Sequence, residues 1–357
     1  MRILSKLVVG AAVAATAVTM AAPSALADPP RGVVPRSFDV VGVGSNTTEF
    51  VLDQFSFDFN RTHPVHNATH PHLFSWDAAP TTATFRPKQG CAPITRLSAN
   101  GSSAGIKLLT GGAKGARGAF CEDFARSSRA RKSTDPTFGP GGVAFVKFAR
   151  DAITYATRIT GPTNAPHNLT TAQLHAIYTC TARRWNQVGG RSRATILAIL
   201  PQASSGTEAS WLKDIGVTTP GTCVFQTTTL EENQGVTPVF NNPNAIVPFS
   251  IGKWIAQKFH HNRFGSAVDG FLGLNSINGT RPTLGTGARQ VINPRFSPTY
   301  FRFLYNVVRF AANTPDHIPA NLRQFFSHTG WICTNRLARA DVVAYGFLNT
   351  PGCGGTS

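Results

Sequence analysis

Acidic residues are scarce in this chain, which has 17 aspartates and glutamates against 34 lysines and arginines and a formal net charge of +17. The sequence also lacks a Cys-x-x-Cys pair, a His-Glu-x-x-His motif and a P-loop. These absences argue against zinc, dithiol and nucleotide chemistry, and we expect neither a metal nor a cofactor. After residue 27, no stretch approaches the roughly 20 apolar residues that a membrane-spanning helix needs.

The N-terminus predicts export. Arg2 and Lys6 precede an apolar run from Leu7 to Ala22, and small residues end it before Asp28, which is the layout of a cleavable signal peptide over residues 1–27. No cysteine follows the run to accept a lipid, so we expect a freely secreted, extracellular protein. Without Arg2 and Lys6, 32 basic residues face 17 acidic ones, about +15.

This positive charge favours anionic partners, either small anions or an anionic cell-wall polymer. The basic residues are scattered outside any recognisable nucleic-acid motif, so no nucleic-acid partner is expected. The same positive charge is also explained by a generally basic, soluble surface that binds no specific anion.

Six cysteines follow the signal peptide, which predicts three disulfides. They fall into sequence-local couples, so from 15 possible pairings we favour Cys91 with Cys121, Cys180 with Cys223, and Cys333 with Cys353.

The strongest candidate binding segment is Ser205-Gly206-Thr207. It follows the apolar run 195–200, a predicted strand, and precedes Trp211, Leu212 and Ile215, which recur at helical spacing. The first amides of a helix lack intrahelical partners and favour negative charge, so these residues suit an oxyanion. For this segment taken alone, simple helix capping is the favoured explanation.

Two further junctions share this pattern. Ser45, Asn46 and Thr47 follow a predicted strand at 38–44 and precede a helix, and Ser102 with Ser103 lie in a glycine turn before a short helix. Downstream, Arg126 and Arg129 flank Ser128 and are candidate countercharges for an anion.

Other segments carry structural predictions. Residues 143–148 and 152–156 are predicted strands, Thr170 with Gln173 forms a capping box at a helix start, and Ser297-Pro298 predicts a long amphipathic helix. That last helix would bury Phe301, Leu304, Tyr305 and Val308 on one face. The cluster His63, His66, His70 and His72 is interrupted by prolines, so we interpret it as an exposed loop rather than a metal site.

Together the three junctions resemble the phosphate-binding solute receptors of ABC transporters. The matching segments are Gly42-Val43-Gly44-Ser45-Asn46-Thr47, Gly101-Ser102-Ser103-Ala104-Gly105, Asp123-Phe124-Ala125-Arg126-Ser127-Ser128 and Ser205-Gly206-Thr207.

The resemblance implies an α/β, two-domain, type II periplasmic-binding-protein-like fold with a ligand cleft between the domains. The first domain would comprise residues 29–146 plus 296–355, and the second residues 147–295. The function implied is capture of phosphate or a related oxyanion by a non-enzymatic, monomeric protein that partners an ABC transporter permease. Its ligands would be Ser45, Asn46, Thr47, Ser102, Ser103, Ser128, Ser205, Gly206 and Thr207.

Two positions depart from the family pattern. Ser128 stands where relatives carry an aspartate that accepts the phosphate proton, and Pro201 stands where they carry an arginine. We therefore expect weak discrimination between phosphate and sulfate.

Two alternatives follow from the residues. A wall-associated or adhesive protein would keep the fold without tight phosphate binding. A secreted phosphate-ester hydrolase would use Ser205 with a histidine such as His167 or His175.

Overall fold

The fold is defined by a computed structural model that describes residues 28–30, 32–228, 230–235, 237–260, 262–265 and 270–357. The predicted signal peptide lies outside these ranges.

Strands make up much of the described chain. They are β1 Val40–Gly44, β2 Leu73–Ser75, β3 Thr84–Phe85, β4 Ile94–Thr95, β5 Phe124–Ser127, β6 Val143–Arg158, β7 Asn168–Leu169, β8 Leu197–Leu200, β9 Phe225–Gln226, β10 Ala245–Ser250, β11 Leu272–Leu274, β12 Ser276–Ile277, β13 Thr283–Leu284, β14 Val291–Ile292, β15 Phe301–Arg309 and β16 Leu348–Asn349.

The α-helices cover the faces and ends of these strands. They are α1 Glu49–Thr62, α2 Ser102–Gly111, α3 Thr171–Tyr178, α4 Gly206–Asp214, α5 Ile251–Ile255, α6 Arg323–Phe326, α7 Trp331–Thr334 and α8 Arg336–Ala344. The predicted capping box at α3 is confirmed, with Thr170 and Gln173 bonding each other's backbone.

The main sheet has the strand order β2-β1-β5-β15-β6-β10-β8-β9. β1 runs parallel to β2 and β5, and β8 runs parallel to β9 and β10. Between these parallel groups, β6 and β15 lie antiparallel to their neighbours. The mixed α/β class expected from the sequence is confirmed.

The two strands predicted over 143–156 are one strand of 16 residues, β6. Its first part pairs with β15 and its last part pairs with β10. Polar residues around Arg150 and Asp151 interrupt the apolar pattern, but the backbone continues through them because strands on both sides supply hydrogen-bond partners.

The long helix predicted from Ser297-Pro298 is wrong. One turn at Pro298–Tyr300 leads directly into strand β15. β15 lies between β5 and β6 and is buried along most of its length, so its apolar residues form a nearly continuous run. Helical spacing appears by chance inside such a run, and the aromatic and β-branched residues favour a strand.

Two large hydrophobic cores flank the middle of the sheet. The first core draws on residues between 40 and 149 and between 304 and 347. The second core draws on residues between 152 and 300. The first core, like the expected first domain, is built from two separate stretches of the chain. The domain boundaries themselves stay a prediction.

The three predicted disulfides are present as Cys91–Cys121, Cys180–Cys223 and Cys333–Cys353. In the part of the chain described here, no helix combines the length and apolar character needed to cross a membrane.

Candidate functional site

Four segments of the chain meet where β1 and β8 end. Thr47 Oγ1 lies 3.2 Å from Thr207 Oγ1, Ser45 Oγ lies 2.9 Å from Ser128 Oγ, and the Ser103 amide donates to the Ser204 carbonyl at 3.0 Å. The segments that the sequence singled out separately thus form one buried cluster. We call Ser45, Thr47, Ser205 and Thr207 the cradle.

Local sequence explains the second half of the cradle. Ser205 is the N-cap of α4, and its hydroxyl accepts from the amides of Thr207 and Glu208 at 3.0 and 3.1 Å. At Gly206, a Cβ would collide with the hydroxyls of Ser102 and Ser128. Glycine is therefore needed there for the two halves to approach each other.

The carboxylate of Glu232 lies inside the cradle. Its Oε1 accepts hydrogen bonds from Ser45 Oγ at 3.0 Å, from the Thr47 amide at 2.9 Å and from Thr47 Oγ1 at 2.9 Å. Its Oε2 accepts from the Thr207 amide at 3.0 Å and from the Ser205 hydroxyl. Five donors from two separate helix starts therefore converge on one carboxylate that is 2% exposed.

Arg302 of β15 completes the cradle. Its guanidinium donates to Thr207 Oγ1 at 3.0 Å and to Thr47 Oγ1 at 3.4 Å. It also forms an ion pair with the buried Asp151 of β6 at 2.8 Å. The arginine is 7% exposed, so its charge acts through little water.

These contacts determine the charge state of Glu232. Burial opposes ionisation, but the positive charge of Arg302 and the hydrogen bonds from Ser205, Thr207 and Thr47 outweigh it. The pKa of Glu232 is consequently held below its ordinary value, and the carboxylate is charged at neutral pH.

Glu231 has a different environment. Its carboxyl group accepts from Asn100 Nδ2 at 2.8 Å, from Gln202 Nε2 at 3.3 Å and from the Asn46 side-chain amide. Burial is the main influence and raises the pKa of Glu231 to about 8, with the charge of Glu49 acting in the same direction. Neutral amides satisfy this carboxyl group without supplying a positive charge.

The remaining predicted ligands surround the cradle rather than line it. Ser102 Oγ accepts from the Ser128 amide at 3.1 Å, and Ser103 Oγ accepts from Arg129 at 3.1 Å. Ser128 reaches the cradle through Ser45, and Asn46 turns toward Glu231. These four residues position the cradle loops.

The two predicted countercharges contact other groups. Arg126 donates to Ser75 Oγ at 2.6 Å and to backbone carbonyls of residues 44, 45 and 76. Arg129 forms an ion pair with Asp135 at 2.6 Å. Arg126 therefore meets the cradle only at the backbone carbonyl of Ser45, and the arginine that contacts cradle side chains is Arg302.

Sequence reasoning missed Glu232, Glu231 and Arg302. A pair of adjacent glutamates in a chain with only 17 acidic residues was an available signal for the first two. For Arg302, the signal was a charged residue between Phe301 and Phe303 in an apolar run, and the helix prediction did not include it in the buried face.

Chemically, the cradle suits an oxyanion held by fixed donors. Two helix N-termini supply amides, hydroxyls supply adjustable donors, and one arginine balances charge. No cluster of three or more His, Cys, Asp or Glu able to hold a metal occurs within the described ranges. His66 instead bonds Asp39 at 2.7 Å and stacks on His72.

A sequence profile described as a PBP superfamily domain matches residues 67–294, well over half of the chain. The chain belongs to the PBP superfamily. No curated protein sequence matches this member of the superfamily.

Two solved structures share the fold of this PBP-superfamily chain. An ABC-type phosphate transport receptor from Vibrio cholerae is 18% identical, with a TM-score of 0.53, and the match covers 87% of this chain and 100% of the receptor. A putative phosphate ABC transporter substrate-binding protein with bound phosphate from Clostridium perfringens is 16% identical, with a TM-score of 0.55, covering 87% and 99%. At this identity the likeness establishes the fold, a mixed α/β arrangement of the phosphate-binding-protein type.

Proposed function

We propose that this PBP-superfamily protein is an exported solute-binding protein that captures phosphate or a related oxyanion in the cradle between its two cores. One observation carries the proposal: five donors from two helix starts converge on a single buried carboxylate. A carboxylate and a phosphate share oxygen acceptors and negative charge, so Glu232 marks where an oxyanion binds.

The charge balance of the cradle supports an anionic ligand. Arg302 lies against both cradle threonines and replaces, from another strand, the arginine that Pro201 does not supply. Buried hydroxyls and amides would lose free energy if left without partners, so an anion that replaced Glu232 would keep them satisfied.

The partners proposed for this protein follow from the family. The two solved relatives are named as phosphate transport proteins, and a permease of an ABC transporter is the corresponding partner here. Export rests on the signal-peptide pattern of residues 1–27, and the basic charge adds a possible association with anionic wall polymers.

The hydrolase alternative finds little support. Ser205 bonds Glu232 and the amides of its own helix, while His167 bonds Asn275 and His175 bonds the Ile215 carbonyl. Gly101-Ser102-Ser103-Ala104-Gly105 also spells a Gly-x-Ser-x-Gly pattern, but Ser103 is bonded by Arg129. Among the histidines within the described ranges, none hydrogen-bonds to Ser205 or Ser103 as a base would.

Calorimetric titration of the mature protein with phosphate and sulfate tests the proposal. We expect saturable, one-site binding, and Thr47→Val should weaken it about tenfold by deleting a donor and a contact of Arg302. The proposal would be contradicted if neither phosphate nor sulfate bound to the wild-type protein or to a variant in which the side chain of Glu232 has been removed from the cradle.

A further inference from the structure

We propose that Glu232 is a resident occupant of the anion cradle, so that phosphate binds only by displacing this side chain. The inference rests on the proposed function and adds a built-in competitor to it. Glu232 would set the affinity of the protein by holding the binding position until a ligand expels it.

The geometry leaves no place for a second anion. Both oxygens of Glu232 are used. Together they accept hydrogen bonds from the hydroxyls of Ser45, Thr47 and Ser205 and from the backbone amides of Thr47 and Thr207. Thr207 Oγ1 accepts from Arg302. A phosphate that used the same donors would overlap the carboxylate and repel it, so simultaneous occupancy is excluded by volume and by charge.

The segment that carries Glu232 is a loop. Residues 230–235 lie between β9 and the turn at Pro238–Asn241, outside any helix or strand. Its withdrawal would therefore break no sheet pairing. Leu230 anchors the start of the loop in the second core. Beyond it, the stretch that carries Glu232 is held by hydrogen bonds, which a competing ligand can offset one at a time.

These hydrogen bonds join the loop to both sides of the cradle. The backbone amide of Gln202 donates to the Leu230 carbonyl at 2.9 Å. Asn233 Nδ2 donates to the Asn46 carbonyl at 3.2 Å, and Gln257 Nε2 donates to the Asn233 carbonyl at 2.7 Å. Glu231 adds its contacts with Asn46, Asn100 and Gln202. Expulsion of the loop breaks these hydrogen bonds, so the cradle is open in only a fraction of the molecules. The apparent affinity for phosphate is then the affinity of the open cradle multiplied by that fraction.

Glu232→Ala tests the inference by emptying the cradle while leaving its donors in place. In titrations with inorganic phosphate, we expect this variant of the mature protein to bind at least about tenfold more tightly than wild type. If Glu232→Ala does not fold, Glu232→Gln tests the charge part of the competition. It keeps the volume of the side chain but removes the charge that repels phosphate, so we expect tighter phosphate binding than in wild type but a smaller gain than emptying the cradle would give.

Glu208→Ala is the matched control. Glu208 lies in the first turn of α4 beside the cradle, but its carboxylate accepts none of the cradle donors described above. Burial raises the pKa of Glu208 to about 7, so the titrations are made above about pH 8, where this carboxylate is ionised. There its removal reports the general benefit of deleting a nearby negative charge. We expect a gain of about threefold or less, since a partly exposed charge acts weakly at this range.

Hydrogen exchange provides a second readout. A ligand usually slows exchange around its site, whereas expulsion of the loop predicts that phosphate speeds exchange of the amides of residues 230–235 in wild type. No such change is expected in Glu232→Ala, where the side chain no longer holds the loop.

The outcomes separate the two proposals. Equal phosphate affinity of wild type and Glu232→Ala, weaker binding by the variant, or slower loop exchange with phosphate would overturn the displacement inference and leave the proposed function standing. Failure of both proteins to bind phosphate and sulfate would overturn the proposed function and the inference with it.

Discussion

Glu231 and Glu232 are neighbours in the chain, both are buried, and their pKa values move in opposite directions. Glu232 meets hydroxyls, helix-start amides and an arginine, so it remains charged. Glu231 meets the side-chain amides of Asn46, Asn100 and Gln202, and its pKa rises to about 8. Burial is common to both, so the difference comes from the kind of donor and from the cation Arg302, whose positive charge lowers the pKa of Glu232.

Removing that cation should produce the largest effect. Arg302→Met leaves Glu232 and Asp151 buried without a compensating charge, and we expect a loss of about 3 to 5 kcal/mol in the free energy of unfolding. Urea unfolding of the mature protein measures it.

The control for Arg302→Met is Arg323→Met, which breaks the more exposed ion pair with Asp316. There we expect a loss of about 1 kcal/mol or less. Equal losses in the two variants would show that Arg302 has no special role in holding the charge of Glu232.

The next effect separates the two glutamates by pH. The raised pKa of Glu231 means that the folded protein binds this proton more tightly than the unfolded chain, so its contribution to stability is complete below its ordinary pKa of 4.5 and lost as pH rises through about 8. Glu231→Gln should reduce the fall in unfolding free energy between about pH 5 and about pH 8.5 by about 2 kcal/mol.

Glu232→Gln provides the contrast in the same experiment. Because the pKa of Glu232 is lowered, its contribution is present above its ordinary pKa and is lost only in more acidic solution. This variant should therefore keep the wild-type pH slope between about pH 5 and about pH 8.5. If Glu231→Gln and Glu232→Gln reduced the pH dependence of the unfolding free energy equally, the contrast between the two glutamates would be wrong.

The smallest effect concerns selectivity. Ser128 Oγ lies 2.9 Å from Ser45 Oγ of the cradle, at the position where the family resemblance leads us to expect an aspartate. Ser128→Asp should add an acceptor for the proton of hydrogen phosphate and raise the preference for phosphate over sulfate by about tenfold, near 1.4 kcal/mol.

Competition titrations with phosphate and sulfate measure this preference, and Ser128→Ala removes the hydroxyl without adding charge. A strong phosphate preference in wild type that neither substitution alters would show that another group supplies the proton acceptor.

The sequence predicted the parts of the site that local physics determines. A hydroxyl or glycine at a helix start is recognisable from a few residues, and Ser45, Thr47, Ser205 and Thr207 meet in the structure. The disulfide pairing was also accessible, because sequence-local couples close short loops.

The residues that give the cradle its charge depend on long-range packing. Glu232 is on a loop without periodicity, and only the folded chain brings it to Thr47, which is 185 positions away. Arg302 lies on a strand that resembles a helix in its apolar spacing, since burial on both faces removes the alternation that identifies strands. Arg126 and Arg129 were favoured as countercharges because they are close in sequence to a matching motif, yet their carbonyl and aspartate partners lie elsewhere.

Strand β6 has a consequence for the order in which the protein folds. Ala144, Val146 and Phe148 belong to the first core, and Ile153 and Tyr155 belong to the second. Every buried residue of the second core precedes residue 301, and only the partly buried Phe301 and Leu348 are added to it later. The first core, in contrast, needs Leu304, Val308 and the helices beyond residue 322. During synthesis or refolding from one end, the core that begins first in the chain is therefore completed last, and its exposed apolar strands must wait for β15.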